Sequence, residues 1–62
     1  MKNLFAQPLK EKNLEDRAVA LVQAFRDRDT MGIKEALLRL SNDNKDLVSK
    51  RAQYLLKKEK QT

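Results

Sequence analysis

Residues 14–25 read LEDRAVALVQAF, and this segment has the strongest helical pattern in the chain. Its apolar side chains recur at the i, i+4, i+7, i+8 and i+11 spacing that forms one stripe on an α-helix. The stripe consists of Leu14, Ala18, Leu21, Val22 and Phe25. Asn13 is a favourable N-cap, and acidic residues in the first turn suit the positive end of the helix dipole. We therefore predict a helix over residues 14–28, with Ala20 and Ala24 forming a small-residue strip that another helix can approach closely.

The second predicted helix is apolar on two opposite faces. It runs from Met31 to Leu40, after a polar turn in which Asp29 or Thr30 can act as the N-cap. Its inward stripe consists of Ile33, Ala36, Leu37 and Leu40. Met31 and Leu38 lie on the opposite face, so this helix needs apolar cover on both sides. That cover comes either from the neighbouring helices, with Met31 and Leu38 completing the core, or from a second subunit.

A polar segment, residues 41–44, separates the second helix from the third. Ser, Asn and Asp side chains compete with helical backbone hydrogen bonds and favour turns and caps. The third predicted helix therefore runs from Lys45 to Lys58. Its inward stripe consists of Val48, Ala52, Leu55 and Leu56, with Leu47 at the edge. Three amphipathic helices joined by polar turns predict an all-α fold, a small three-helix bundle.

The chain begins with a segment that does not continue the helical pattern. Pro8 disfavours helical backbone at the residue before it, so we expect residues 1–12 to form an irregular N-terminal arm. Its apolar side chains, among them Leu4 and Phe5, should pack on the helices of this subunit or of a partner. The remaining residues, 13–62, are predicted to form a single helical domain.

The composition excludes several kinds of protein. The 62 residues include no Cys and no His, so disulfides, zinc-finger ligand sets, thiol nucleophiles and imidazole bases are not available. No apolar run reaches the length of a membrane-spanning helix, and the start of the chain lacks the apolar core of a signal peptide. We therefore expect a cytoplasmic protein that does not bind membranes.

Enzyme chemistry has few residues to use in this chain. The serines have no histidine base, the carboxylates fall on faces predicted to be solvated, and there is no glycine-rich phosphate loop. Asp27, Asp29 and Gly32 match the first, third and sixth positions of a calcium-binding EF-hand loop. Met31 and Leu38 occupy the fifth and twelfth positions, where calcium needs oxygen ligands. We predict no catalytic residue, no metal or cofactor site and no small-molecule substrate.

The favoured functional hypothesis is protein–protein contact. A domain of about 60 residues buries only about 60% of the surface that its unfolded chain exposes, and self-association is a common way to add stability. We predict a non-enzymatic regulatory protein that packs as a homodimer and contacts a further, unidentified protein. The candidate interface residues are Leu4, Phe5, Met31 and Leu38.

The alternative hypothesis is a nucleic-acid-associated accessory protein. The net charge is +5, and six basic against three acidic residues in positions 41–62 account for +3 of it. Basic side chains and one aromatic ring on the outer side of the third helix would contact phosphates and stack on a base. These candidates are Lys50, Arg51, Tyr54, Lys57, Lys58 and Lys60. The same cations also fit a solvated face near a helix C-terminus. A further alternative is a DNA-binding helix-turn-helix unit formed by either pair of consecutive helices. In both arrangements, acidic residues lie near the N-terminus of the helix that would contact the bases.

Overall fold

A computed structural model describes residues 3–60 of the chain. Within that range the elements are a 3-10 turn, Leu4–Ala6, and the helices α1, Lys12–Arg26, α2, Thr30–Leu37, and α3, Asn42–Lys60. These residues form no strand, so the prediction of an all-α, three-helix fold is confirmed. None of the three helices in this part of the chain is long and apolar enough to cross a membrane.

Helix α1 is central, because both α2 and α3 pack against it. Helix α2 runs antiparallel to α1, since Arg17 near the start of α1 reaches the carbonyl groups at the end of α2. Helix α3 runs parallel to α1. Glu15 pairs with Arg51, and Arg26 at the end of α1 pairs with Glu59 at the end of α3. The bundle therefore has an up-down-up arrangement in which the chain reverses on both sides of α2.

The described part of the N-terminal arm, from residue 3 onward, contains one tight turn; residues 1–2 of the predicted arm and 61–62 of the predicted domain lie outside the described residues. Asn3 caps the 3-10 turn, because its side chain accepts a hydrogen bond from the N–H of Phe5 at 2.8 Å. Gln7 then has extended backbone, with φ −112° and ψ 153°, as expected for the residue before Pro8. Leu9 packs against the core of the bundle. The arm therefore lies on the helices of its own subunit.

Helix α1 starts earlier than the sequence pattern predicts. We expected Asn13 to cap a helix beginning at Leu14, and this was wrong, because α1 begins at Lys12 and includes Asn13 in its first turn. Glu11 occupies the N-cap position without a side-chain capping bond. Its carbonyl accepts from the N–H groups of Leu14 and Glu15 at 3.1 and 3.0 Å. An apolar stripe gives the inward face of a helix but does not locate its first turn.

Helix α1 also ends earlier than predicted, at Arg26, in a Schellman-type motif. The N–H of Asp29 donates to the carbonyl of Ala24 at 2.8 Å, and the N–H of Arg28 donates to the carbonyl of Phe25 at 3.3 Å. Arg28 has φ 53°, the left-handed backbone that glycine usually adopts at this position. The motif stops the helix two residues before the predicted end.

Asp29 then starts the next helix, so of the two predicted candidates Asp29 is the N-cap, and Thr30 is the first residue of α2. The Asp29 side chain accepts from the N–H of Gly32 at 3.0 Å. Gly32 lies close to α1, since a Cβ placed on it would be 3.2 Å from the Cβ of Ala24 and 2.6 Å from the Oδ2 of Asp29. The close approach of two helices beside Ala24 follows from the absence of a side chain at Gly32.

Helix α2 ends at Leu37, three residues before the predicted end. Leu38 has φ −63° and ψ 136°, and Arg39 has φ 63°, as in a type II turn. The turn is closed by the N–H of Leu40, which lies 3.4 Å from the carbonyl oxygen of Leu37. Leu40 thus packs against the core as predicted, but from a turn and not from a helix.

A guanidinium group from α1 stabilises this early end of α2. Nη1 of Arg17 donates to the carbonyls of Glu35, Ala36 and Leu38, each at 3.2 Å. The carbonyls of Glu35 and Ala36 lie in the last turn of α2, at the negative end of its dipole, where a helix has too few backbone donors for its carbonyl groups. The Glu35 carbonyl also accepts from the N–H of Leu38 at 3.2 Å. Arg17 therefore adds side-chain donors where the backbone donors of α2 have ended.

Helix α3 begins three residues before the predicted start at Lys45 and ends two residues beyond the predicted end. Ser41 caps it, because the Oγ of Ser41 accepts from the N–H of Asn44 at 3.2 Å and its carbonyl accepts from the N–H of Lys45 at 2.8 Å. Because Ser41 caps the helix, residues 42–44 form its first turn. Of the polar segment 41–44 that was predicted to separate the helices, only Ser41 lies outside α3.

The core is small and contains several alanines. Leu21 and Val48 are the largest side chains that are fully buried. The buried cluster consists of Leu14, Ala18, Leu21, Val22, Ala36, Val48 and Ala52, and the partly buried residues against it are Leu9, Ile33, Leu37, Leu40, Leu55 and Leu56. Phe25 was predicted to be inward and is instead 38% exposed. Ala24 is buried in its place, because α2 packs against the Ala24 side of the last turn of α1.

Candidate functional site

A buried ion pair joins the arm, α1 and α3. Arg51 is only 6% exposed. Its Nε and Nη2 donate to the carboxylate of Glu15, at 3.1 Å to Oε1 and 3.0 Å to Oε2. Nη1 of Arg51 donates to the carbonyl of Phe5 at 2.7 Å, and Oε1 of Glu15 accepts from the N–H of Leu9 at 2.9 Å. One ion pair therefore holds two backbone groups of the arm.

The Glu15 carboxyl stays ionised in this setting. Partial burial raises its pKa, but the hydrogen bonds from Arg51 and from the N–H of Leu9, with the charge of Arg51, outweigh burial and hold the pKa below its ordinary value. Two expectations were wrong here. Glu15 is not on a solvated face, and Arg51 does not border the exposed basic face, because the arm covers it. Arg51 could reach a phosphate only by leaving this pair.

The arm and the first half of α3 enclose an apolar groove, called the arm groove here. Its volume is about 530 Å³. The apolar residues that line it are Leu4, Phe5, Pro8, Leu9, Leu14 and Leu47. Leu4 is 88% exposed, and Leu47 is also exposed. The arm groove therefore presents apolar side chains to solvent where the arm meets α3.

The four residues predicted for a protein interface do not lie in one place. Leu4 and Phe5 line the arm groove. Met31 is 65% exposed in the first turn of α2, and Leu38 is 56% exposed in the turn that follows α2. Met31 and Leu38 therefore do not complete the core, and they lie at opposite ends of α2, outside the arm groove. The structure brings together two of the four residues and adds Leu47 to them.

The second half of α3 forms a smaller groove, called the Tyr54 groove here. Tyr54, Lys57 and Lys58 follow the i, i+3, i+4 spacing of one helix face. Together with Asn3 of the arm they line a volume of about 220 Å³. Tyr54 is half-buried, and both lysines are exposed. The structure thus brings together three of the residues predicted to bind nucleic acid, with Lys60 two residues further along the chain.

Ion pairs divide the basic residues of α3 into two groups. Nζ of Lys50 lies 3.0 Å from Oδ2 of Asp46 in an exposed i, i+4 pair. Glu59, the only acidic residue of positions 52–60, pairs with Arg26 of α1. Within the described part of α3, the lysines near its end that form no ion pair are Lys57, Lys58 and Lys60. Positive charge is therefore concentrated at the Tyr54 groove and just beyond it.

A third groove lies between α1 and α2 and is acidic. Its volume is about 990 Å³, and its carboxylates are those of Glu11, Asp16, Asp27, Asp29 and Glu35. Asp29 is used as the N-cap of α2. Arg17 also lines the groove, and its guanidinium group binds the end of α2. Among residues 3–60, no group of three or more acidic side chains is arranged to hold a metal ion. Asp27, Asp29 and Gly32, which have the spacing of an EF-hand loop, lie in the connection between α1 and α2, where Asp29 caps α2.

Sequence reasoning missed three residues of these sites. Leu47 carried a usable signal, since it is an apolar residue at the edge of the α3 stripe and is not needed for the core. Asn3 and Glu15 carried none, because their importance depends on the packing of the arm against α3. Glu15 and Arg51 are 36 positions apart, and no local spacing relates them.

Comparison with known proteins identifies no relative of this chain. No family model matches it, no curated protein matches it at a significant level, and no solved structure does so either. The two grooves beside α3 and the charges around them are therefore the features of this chain that indicate a function.

Proposed function

We propose that this protein is a non-enzymatic protein-binding module that self-associates as a homodimer through the arm groove. The observation that supports this is Leu4, which is 88% exposed next to a groove lined by Phe5, Pro8 and Leu47. A protruding apolar side chain beside an apolar groove is suited to a two-fold contact, in which the same patch is used on both subunits. Leu4 of each subunit then enters the groove of the other.

The ion pair of Glu15 and Arg51 favours this contact by fixing the arm in advance. Arg51 holds the carbonyl of Phe5, and Glu15 holds the N–H of Leu9, so residues 5–9 are anchored at both ends and Leu4 directly precedes the first anchor. A surface that is ordered before binding loses less conformational entropy on association. The free energy gained from apolar burial is therefore not spent on ordering the arm.

The size of the core also favours self-association. Leu21 and Val48 are the only large side chains among the described residues that are fully buried. A stable dimer buries about 800 Å² on each subunit, which is about one sixth of the 5161 Å² accessible surface of this chain. Apolar burial contributes roughly 25 cal/mol for each Å², so covering Leu4 and Leu47 would add substantially to the stability of a small domain.

Two exposed apolar residues, one in α2 and one in the turn that follows it, then remain for a further partner. Met31 and Leu38 stay accessible in a dimer formed through the arm groove, because neither lines it. We propose that they contact the second protein on which the dimer acts. In this arrangement, self-association and regulation use different surfaces of the bundle.

The proposal is tested by the solution mass of the protein, measured by light scattering behind a sizing column. The chain of 7.2 kDa is expected to elute at twice that mass. Leu4→Asp should give the monomer mass with unchanged helicity, because Leu4 has few contacts to lose within its own subunit. Met31→Asp is the matched control, since it places the same charge at another highly exposed apolar position, and it should remain a dimer.

Two results would contradict the arm-groove dimer. One is a wild-type protein that stays at 7.2 kDa up to high micromolar concentration. The other is the reverse pattern, in which Met31→Asp dissociates the dimer and Leu4→Asp does not, because this would place the subunit contact on α2.

A further inference from the structure

We infer that the Tyr54 groove binds single-stranded nucleic acid, with one base stacked on the ring of Tyr54 and the adjoining phosphates bound by Lys57, Lys58 and Lys60. This inference does not depend on the proposed dimer, because the Tyr54 groove and the arm groove share no residue. Sequence-tolerant binding of single strands typically combines an aromatic stacking surface with a basic track for the backbone.

The geometry of the groove fits that combination. Tyr54, Lys57 and Lys58 line one volume of about 220 Å³, so the ring and two ammonium groups can contact the same nucleotide and its neighbours. Tyr54 is half-buried, which holds one part of the side chain against the protein and leaves another part accessible. Lys60 lies in the last turn of α3 and extends the positive charge beyond the groove.

Helix-dipole stabilisation alone does not account for this cluster. Lysines in the last turn of a helix stabilise it by interacting with the helix dipole, on whichever face they lie. This interaction does not explain why an aromatic residue and a residue of the arm lie beside them. Asn3 also lines the groove. The Oδ1 of Asn3 accepts from the N–H of Phe5, so its amide group remains to donate to a phosphate or a base.

The surrounding charges favour a small number of phosphate contacts. Glu59 is paired with Arg26, and Lys50 is paired with Asp46. Arg51 is held in the ion pair beneath the arm, so it is not part of the site. Three lysines predict that log K changes with log salt by a slope of about −2 for a single strand. A fourfold increase in salt should then weaken binding about 20-fold.

The stacking ring selects a single strand over the other polyanions that lysines attract. Bases in a duplex are already stacked on each other, so the Tyr54 ring cannot stack on them. A duplex would therefore be bound only through the charge of the lysines. Anionic membranes are bound by helices that insert large apolar side chains beside their lysines. The face of Tyr54, Lys57 and Lys58 offers a polar groove instead of such residues.

Binding is measured by fluorescence anisotropy of a labelled oligothymidine strand of about twelve nucleotides. The wild-type protein should bind at about 50 mM salt and lose about 20-fold in affinity at about 200 mM. A duplex of the same length and vesicles containing phosphatidylserine, tested under the same conditions, should bind more weakly than the single strand.

Charge-matched variants separate this site from general attraction. Lys57→Gln with Lys58→Gln should weaken binding of the strand about tenfold or more, since two of the three phosphate contacts are lost. Lys34→Gln with Lys45→Gln removes the same charge from exposed positions outside the groove and should change binding no more than about threefold. Equal losses in the two double variants would overturn the inference.

Stacking is read directly from Tyr54, because the chain has one Tyr and no Trp. Unlabelled oligothymidine should quench the tyrosine fluorescence, after correction for absorbance by the strand, with the same affinity as the anisotropy. Tyr54→Phe should bind within about twofold of wild type, and Tyr54→Leu should lose about fivefold or more. Helicity is recorded for each variant by circular dichroism. Absence of binding at low salt, unquenched fluorescence, or equal affinity for strand and duplex would overturn the inference.

Discussion

Two cationic regions of α3 lie within two turns of each other and differ in what their charges do. Arg51 is 6% exposed and donates to Glu15 and to the carbonyl of Phe5. Lys57 and Lys58 are exposed and, among the described residues, form no ion pair. The difference arises from the arm, which covers Arg51. A basic residue on this helix is therefore buried and paired where the arm covers it, whereas Lys57 and Lys58, which the arm leaves uncovered, are exposed to solvent.

The chemistry of the two cations fits their roles. A guanidinium group is planar and carries five N–H donors, so it can bind a carboxylate and a backbone carbonyl at the same time. Arg51 uses this geometry for Glu15 and Phe5. A lysine ammonium group is a strongly hydrated point charge on a flexible chain, which suits contact with phosphates that vary in position.

The largest expected effect comes from breaking the buried pair. Arg51→Met should lower the free energy of unfolding by about 3 kcal/mol, because Glu15 would be left partly buried without its cation. A chain of this length is stabilised in total by only about 3–9 kcal/mol. Urea unfolding monitored by circular dichroism measures the change.

The matched control is Lys57→Met, which removes an exposed cation from the same helix and should cost about 0.5 kcal/mol or less. Adding Glu15→Leu to Arg51→Met should recover part of the lost stability, because an apolar pair replaces an isolated carboxylate. Equal losses for Arg51→Met and Lys57→Met would remove the distinction between the two regions.

The second largest expected effect is a dependence of the free energy of unfolding on pH. It should come from Glu15, which pairs with the arm-covered Arg51, and not from the exposed lysines. The pKa of Glu15 is lowered in the folded protein, so the folded state binds this proton less readily than the unfolded state does. Its contribution is present above the unfolded value of about 4.3 and is lost as the pH falls through the folded value. Urea unfolding from about pH 7 to about pH 3 should therefore show a steeper loss in wild type than in Glu15→Gln. Parallel loss in the two proteins would contradict the stabilising role of the Glu15 carboxylate.

The smallest effect concerns Lys50, which lies next to Arg51 in sequence but is exposed. Its pair with Asp46 has the i, i+4 spacing of a helix surface, and both side chains are more than half exposed. Lys50→Gln should change the free energy of unfolding by about 0.3–0.5 kcal/mol. Asp46→Asn should give a similar value, since each variant removes the same interaction. A loss above about 1 kcal/mol would mean that Lys50 belongs to the structural region with Arg51.

Helical periodicity was sufficient to predict the number of helices and most of their inward faces. Val48 and Ala52 are buried, and Leu55 and Leu56 pack against the core, because the spacing of apolar residues fixes a helix face wherever the helix packs. The helix ends were less predictable, because distant groups determine them. Arg17 of α1 binds the carbonyls at the end of α2, and this contact cannot be read from the sequence around Leu37.

The residues of the candidate sites also differ in whether local spacing or distant contacts determine their position. Tyr54, Lys57 and Lys58 were predictable, since their spacing on one helix places them on one face. Arg51 was expected on the exposed basic face, but it is buried beneath the arm and paired with Glu15, which is 36 positions away. The exposure of Met31 and Leu38 was predictable from the outward face of the second predicted helix, but their separation from the arm groove depends on how the arm packs.

The bond between Arg51 and Phe5 has a consequence for the order in which the chain is made. Phe5 is synthesised before the three helices, and the residue that anchors it follows 46 positions later. At about 5–20 residues per second, the ribosome needs about 2 to 9 seconds to cover that distance. Helices α1 and α2, joined by a short local turn, can form during this interval, whereas Leu4 and Phe5 have no docking place in their own chain. Each nascent molecule thus carries an apolar segment that has no docking place until Arg51, 46 positions after Phe5, has been translated.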